Sequence, residues 1–258
     1  MGPVVEEAPT DVPVEPPNDV VRESRRPSAA DRHIAGLFDD IAPVYDRLTR
    51  LVSFGRDGRW RAALVAATGV APGDAALDVA TGTGKLAAAL ADRVGPFGQV
   101  VALDISPAMV QRGSAATRDI VQLEFVVGDA RALPFDDGRF DAATVAFCLA
   151  SVGDLMGPFA EIRRVLRPGG RLACLERTVP RPAIWGRAYG ASVRRLAPLA
   201  ARAVGGGEAY RRIADAGTPP RQLSDLTAAL QAAGFVDITS RRLWLGSVAL
   251  LRGVRPAG

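Results

Sequence analysis

The sequence predicts a doubly wound α/β fold: a mostly parallel sheet with helices on both faces, a C-terminal antiparallel hairpin, and helical segments that cover one end. Three observations predict it. From Ala75 onward, short apolar runs alternate with helical stretches, as buried parallel strands joined by crossover helices do. The first of those runs feeds a glycine turn in "LDVATGTGKLAAAL", residues 77–90. Near the end, "FVDITSRRLWL" and "GSVALLRGVR" adjoin across a Gly-Ser turn, the pattern of a hairpin.

Taken in order, residues 1–30 carry six prolines and six acids with few large apolar side chains. Such a stretch cannot bury enough surface to offset the entropy of ordering, so a disordered tail is expected there. Residues 31–258 form the single predicted domain. Within it, 31–70 reads as covering helices: Ile34, Leu37, Phe38 and Ile41 are spaced as one buried stripe. A turn near Pro43 follows, then a second helix around Trp60–Ala67. Strands are expected at 75–80, 99–104, 122–127, 140–147 and 171–177, with helices near 84–93, 106–116 and 155–166. Residues 180–219, interrupted by three glycines at 205–207, break the alternation and read as a helical lid.

A composition of 48% hydrophobic and 23% charged residues is that of a globular protein with a sizeable core. No apolar run is long enough for a membrane span and the N-terminus has no secretory pattern, so a cytoplasmic chain is expected. Cys148 and Cys174 lie in apolar runs without metal-ligand spacing and are expected to be reduced core residues; no metal site is expected. Residues 161–258 hold 17 basic against 6 acidic groups, a balance that suits a solvated face or an anionic membrane surface. Aromatics do not interleave with these arginines, which argues against a nucleic-acid platform. His33, the sole histidine, is expected at the surface.

The glycine turn carries the chemistry. Gly82, Gly84 and Ala87 satisfy G-x-G-x-x-A, and Asp104 lies where a ribose ligand would, at the end of the second strand. By itself this motif suits a nicotinamide dinucleotide equally well. Asp78, four residues before Gly82, shifts the balance. A carboxylate aimed at the ligand there would repel a phosphate and favour a cationic group. S-adenosyl-L-methionine, with its ammonium and sulfonium, meets that demand. Ala80 and Gly82 would pass beside it, Asp104 and Ile105 would take the ribose, and "VVGDARALPF" would offer an adenine edge through Asp129 and Ala130.

Beyond the turn, "LFDDIAPVYDRLTRLVSFGRDGRWR", "DVATGTGK", "GDARALPFDDGRFD", "RVLRPGG" and "GSVALLRG" together resemble the quinone C-methyltransferase family of ubiquinone and menaquinone biosynthesis, over roughly residues 36–256. The resemblance implies a Rossmann-like class I methyltransferase fold and cofactor contacts at Thr83, Asp104, Asp129 and Ala130. Ala146 stands where the family more often has serine. It also implies a small aromatic or quinol acceptor, and with a prenylated one a membrane surface that arginines in 187–221 could meet. Tyr45, Asp46, Trp60, Glu176, Tyr189 and Tyr210 match the family's pattern.

Four positions depart from it. Thr49 replaces an Asn, Leu149-Ala150-Ser151 replaces Leu-Arg-Asn, Arg211-Arg212-Ile213 follows Tyr210 where Tyr-x-Tyr-Leu is usual, and Ala216 replaces a serine. The resemblance puts the Arg-Asn pair beside the ring, helping an ordered water remove a proton, which Ala150 cannot do. Tyr45 and Asp46 are therefore the catalytic candidates, with Trp60, Ala150, Tyr189, Tyr210 and Arg212 as candidates at the acceptor. Three functions stay open: C-methylation of a prenylated quinol, methylation at O, N or C of another small aromatic or polyketide-like metabolite, and a cofactor-binding cyclase or non-catalytic binder.

Overall fold

The computed structural model describes residues 29–149, 153–180, 195, 198–199, 201–203, 205–216 and 220–257. The N-terminal tail and much of the expected lid lie outside them, as do Ala150, Ser151 and Tyr189.

Helices α1 (Ala29–Ile41), α2 (Tyr45–Val52) and α3 (Asp57–Thr68) precede β1 (Ala75–Val79). Then follow α4 (Lys85–Val94), β2 (Gln99–Asp104), α5 (Pro107–Ala116), β3 (Leu123–Val127), β4 (Phe140–Ala146), α6 (Met156–Val165) and β5 (Leu166–Arg177). Two helices, here α7 (Gly207–Ala216) and α8 (Leu223–Ala232), lead to β6 (Val236–Leu243) and β7 (Val248–Val254). The seven strands are ordered β3-β2-β1-β4-β5-β7-β6. The first five pair in parallel, and β7 runs antiparallel to both β5 and β6.

The inner strands β1, β2, β4 and β7 read as nearly continuous apolar runs because both faces of the sheet are covered there, whereas the edge strands β3 and β6 are partly exposed. Successive side chains alternate between faces, and two hydrophobic clusters record that alternation. Leu77, Val79, Val101 and Leu103 pack with Phe159 and Ile162 of α6 and Leu226 and Leu230 of α8. Their neighbours Ala76, Val100 and Ala102 pack on the other face with Trp60 and Leu64 of α3 and Leu86 and Leu90 of α4.

Several details differ from the sequence expectation. The region 31–69 holds three helices, because α2 stands as a separate element between Val44 and Ser53. The α1 stripe divides: Leu37 and Ile41 are buried, whereas Ile34 and Phe38 are half-buried and face the site cavity. The hairpin turn is wider than Gly-Ser, with Trp244, Leu245 and Gly246 all at positive φ. Pairing of β5 begins at Leu166, against Phe140, ahead of the expected 171.

Candidate active site

A cavity of about 320 Å³ opens at the carboxyl ends of β1, β2, β3 and β4. This is the place where strand order reverses in a doubly wound sheet and where such sheets take their ligands. Ala80 and Gly82 line it after β1, Asp104 and Ile105 after β2, Gly128 to Arg131 after β3, and Ala146 to Cys148 after β4. The covering helices close it with Asp31, Ile34 and Phe38 from α1 and Tyr45 from α2.

The turn after β1 depends on backbone that glycine tolerates best. Ala80, Gly82 and Gly84 adopt φ of 56°, 57° and 77°. A methyl group on Gly84 would collide with the Phe125 ring, so Gly84 lets α4 start close against β3 without touching the cavity. One on Gly82 would lie 3.5 Å from Tyr45 Cε1, which shows how closely that ring covers the turn.

Asp78 takes a different place from the one expected. It shares the strand face of Ala76, is 1% exposed, and does not line the cavity. Its Oδ2 accepts the Thr81 hydroxyl at 2.6 Å, and its Oδ1 accepts that of Thr144, its partner across β4, also at 2.6 Å. Burial pushes its carboxyl from 3.8 up to about 6, against the pull of the two threonines. Asp78 therefore organises the turn from beneath.

The acidity expected of the site comes from other residues. Asp31, Asp104, Asp129 and Asp154 line the cavity, and Arg131 is the lone cation among the lining residues. Asp104 is 7% exposed; its Oδ2 accepts the Gly82 amide at 2.7 Å and its Oδ1 that of Ser106 at 2.9 Å. Each oxygen keeps acceptor capacity for a diol. Burial raises its carboxyl, with the backbone donors opposing. Asp129 accepts the Arg131 backbone amide at 2.9 Å and is gripped by its guanidinium, with Nη2 to Oδ2 at 2.8 Å. That guanidinium also pairs with Asp31 on α1. Asp129 is thus shared with Arg131, a contact that the spacing of "GDAR" did not disclose.

Tyr45 stands in the cavity, edge-on to Phe38 with ring centroids 6.5 Å apart. Burial pushes its phenol up to about 12; the charge of Asp104 adds to this and a hydrogen bond with Thr49 opposes it. Asp46 does not reach the cavity. Its Oδ1 accepts the Thr83 hydroxyl at 2.6 Å and its Oδ2 lies 3.3 Å from Lys85 Nζ, so the carboxylate ties α2 to the glycine turn. Thr83, expected at the cofactor, is buried in that tie. Asp39 makes a parallel tie from α1, accepting the Ser106 hydroxyl at 2.5 Å and the Ala108 amide at 3.1 Å.

The acceptor candidates among the described residues, Trp60, Tyr210 and Arg212, stand outside the cavity wall. Trp60 is buried, with its ring 6.0 Å from that of Phe147, which does line the cavity. Tyr210 packs with Ile41 and Leu48. Arg212 pairs with Asp40 at 2.9 Å and is half exposed. Cys148, expected in the core, faces the cavity; burial and the charge of Glu176 push its thiol well up. Glu176 itself is buried and accepts the Leu149 amide at 2.8 Å, fixing the backbone just after β4. His33 is exposed and Cys174 buried, as expected.

The residues present suit the expected cofactor. Four carboxylates against one guanidinium, which pairs with Asp31 and Asp129, leave the cavity at the strand ends net acidic, which favours a cationic nucleoside over a dinucleotide pyrophosphate. Solved structures share the fold. A putative methyltransferase from Haloferax volcanii, bound to the Trm112 activator, superposes with a TM-score of 0.61 at 24% identity, covering 85% of this chain and 97% of that one. A geranyl diphosphate methyltransferase, in complex with its substrate and sinefungin, gives 0.58 at 19%, covering 77% and 78%. These likenesses show the fold of the chain, which is that of the class I S-adenosyl-L-methionine-dependent methyltransferases.

Sequence likeness narrows this. The ubiE/COQ5 methyltransferase family model matches residues 26–255, and the chain belongs to that family. It is 37% identical to a demethylmenaquinone methyltransferase of Clavibacter sepedonicus over 226 residues, 87% of this chain and 91% of that protein. It is 35% identical to the ubiquinone/menaquinone biosynthesis C-methyltransferase UbiE of Pseudomonas putida strain GB-1, over 87% and 90%. Among the described residues, no helix is long and apolar enough to cross a membrane, and no group of three or more histidine, cysteine or acidic residues is placed to hold a metal ion.

Proposed function

We propose that the chain methylates a ring carbon of a prenylated quinol, of the demethylmenaquinol or ubiquinol-precursor type. The observation that carries this reading is the extent of the family match: it runs through the covering helices α1 and α2, which shape the acceptor side, as well as through the cofactor strands. Bound S-adenosyl-L-methionine supplies an electrophilic methyl group. Asp104 and the backbone at Ala80, Gly82 and Ile105 hold it, with Ala130 and the Asp129-Arg131 pair at the far end and Ala146 closing the wall.

On the acceptor side, a ring carbon becomes nucleophilic once an adjacent hydroxyl loses its proton to solvent; methyl transfer releases S-adenosyl-L-homocysteine, and the proton on the methylated carbon then leaves to solvent as the ring regains its aromaticity and the hydroxyl is reprotonated. Tyr45, with its phenol pushed up to about 12, stays protonated at neutral pH and donates a hydrogen bond to that oxygen. Asp46 serves by position: it seats Tyr45 over the turn through Thr83 and Lys85 and transfers no proton. Phe38 and Phe147 supply apolar wall that excludes water. A lipid-soluble acceptor also requires the protein to meet a membrane surface.

A second reading, methylation at O, N or C of another small aromatic, is favoured by one feature: Ala150-Ser151 in place of Arg-Asn. Purified protein given methyl-labelled cofactor and chemically reduced demethylmenaquinone in detergent separates the two. Label on the naphthoquinol ring carbon supports the first; an unlabelled quinone beside a labelled aromatic from a metabolite extract supports the second.

A further inference from the structure

We propose that the outer face of α2, together with the Trp244-Leu245 turn, docks the protein onto an anionic lipid bilayer. The inference rests on the prenylated-quinol reading and deepens it by assigning the surface through which the acceptor arrives.

The face is built by helical spacing. Arg47, Arg50 and Leu51 follow one another at i, i+3 and i+4, so they form one stripe along α2, and Phe54 follows just past its end. The opposite stripe, Tyr45, Leu48 and Val52, packs inward. Leu51 and Phe54 remain 46% and 51% exposed, and Leu245 is 54% exposed. The Phe54 ring lies 6.0 Å from that of Trp244, joining the two segments into one apolar patch.

The backbone that carries the patch adopts a costly conformation. Phe54, Trp244 and Leu245 have φ of 52°, 42° and 53°, in the left-handed region that bulky residues avoid. Strain of this kind persists at sites where a surface does something. Charge selects the occupant. Residues 47–56 and 241–247 contain Arg47, Arg50, Arg56, Arg241 and Arg242 and no acid. Arg47, Arg50 and Arg241 are exposed, and Arg56 stacks 3.6 Å from the Trp244 ring centre, its charge kept at the rim. An apolar centre ringed by arginine is the complement of acidic headgroups over acyl chains.

The patch also adjoins the site. Trp244 and Leu243 pack on the cluster that contains Trp60, and the Trp60 ring neighbours Phe147 in the cavity wall. Trp244 at the patch and Phe147 in the cavity wall thus pack on one and the same core cluster.

The test is co-sedimentation of the full chain with vesicles of phosphatidylcholine alone and of phosphatidylcholine mixed with phosphatidylglycerol. Binding is expected to the mixed vesicles and to weaken as salt rises. In a Phe54→Asn, Leu245→Asn variant it should fall about tenfold or more, with turnover of detergent-dispersed quinol unchanged. Asparagine tolerates the left-handed conformation, so this variant should fold, which a thermal melt checks. Equal binding by variant and parent overturns the proposal, as does binding that ignores lipid charge. A parent that dimerises and a variant that is monomeric, by light scattering, also overturns it, since a second copy then covers the face. Quinol turnover in detergent without vesicle binding removes the docking face and leaves the proposed function standing. Patch-dependent vesicle binding without quinol turnover does the reverse.

Discussion

Asp46 on α2 accepts a 2.6 Å hydrogen bond from Thr83 in the glycine turn, so the helix carrying Tyr45 is fastened directly to the loop that lines the cavity through Ala80 and Gly82. An Asp46→Ala change should lower kcat/KM by about tenfold to a hundredfold, the loss expected for a hydrogen bond to a charged group, and weaken cofactor binding. The shape of the pH profile should not change. Loss of the acidic limb would instead make Asp46 a proton-transfer group.

Tyr45→Phe removes one hydroxyl from the cavity and leaves the Phe38 contact in place. Cofactor affinity by calorimetry should hold, while kcat falls about tenfold or more because the acceptor oxygen loses a donor. An unchanged kcat would show that the hydroxyl does not face the acceptor.

Asp104 bridges the glycine turn and the start of α5 through the Gly82 and Ser106 amides. Asp104→Ala should reduce affinity for S-adenosyl-L-homocysteine by about tenfold to a hundredfold. It should also lower thermal stability, since two backbone donors lose their partner.

Asp78 makes stability pH-dependent in an unusual direction. Its carboxyl rises from 3.8 to about 6 on folding, so between those values the native state holds more proton than the unfolded chain. Its contribution therefore weakens as pH rises from about 4 to 6, by an amount on the order of 3 kcal/mol. Asp78→Asn should remove that slope and raise Tm at pH 7 relative to the parent. A variant less stable than the parent at pH 7, with the same slope, would contradict the assignment.

Gly84→Ala forces a methyl group into Phe125 at a left-handed position. It should cost about 2–4 kcal/mol in urea unfolding, and Phe125→Leu in the same chain should recover part of this by making room.

The inner strands were legible because burial on both faces turns them into apolar runs, and Asp104 was legible as a cavity residue because it ends the strand next to the one that feeds the glycine turn. Asp78 was misplaced, although alternation from Ala76 already put it on the α4 face, away from the cavity. What the sequence hid are contacts between distant positions. Asp31 with Arg131, Asp39 with Ser106 and Asp46 with Thr83 each join a covering helix to a strand end, and no spacing rule links them. Trp60, which matches the family's pattern and whose spacing from Leu64 suits a core anchor for the covering helix, packs in the core and not at the acceptor. Phe147 gave no signal, because its left-handed backbone at the end of β4 follows from tertiary constraint.

The central claim is tested most directly in a bacterium from which the demethylmenaquinone methyltransferase gene has been deleted. With this chain expressed there and the lipid quinones measured by mass spectrometry, demethylmenaquinone should give way to menaquinone, and the Tyr45→Phe chain should restore much less. Demethylmenaquinone that persists unmethylated, while the expressed protein is folded and binds S-adenosyl-L-methionine, would contradict the account.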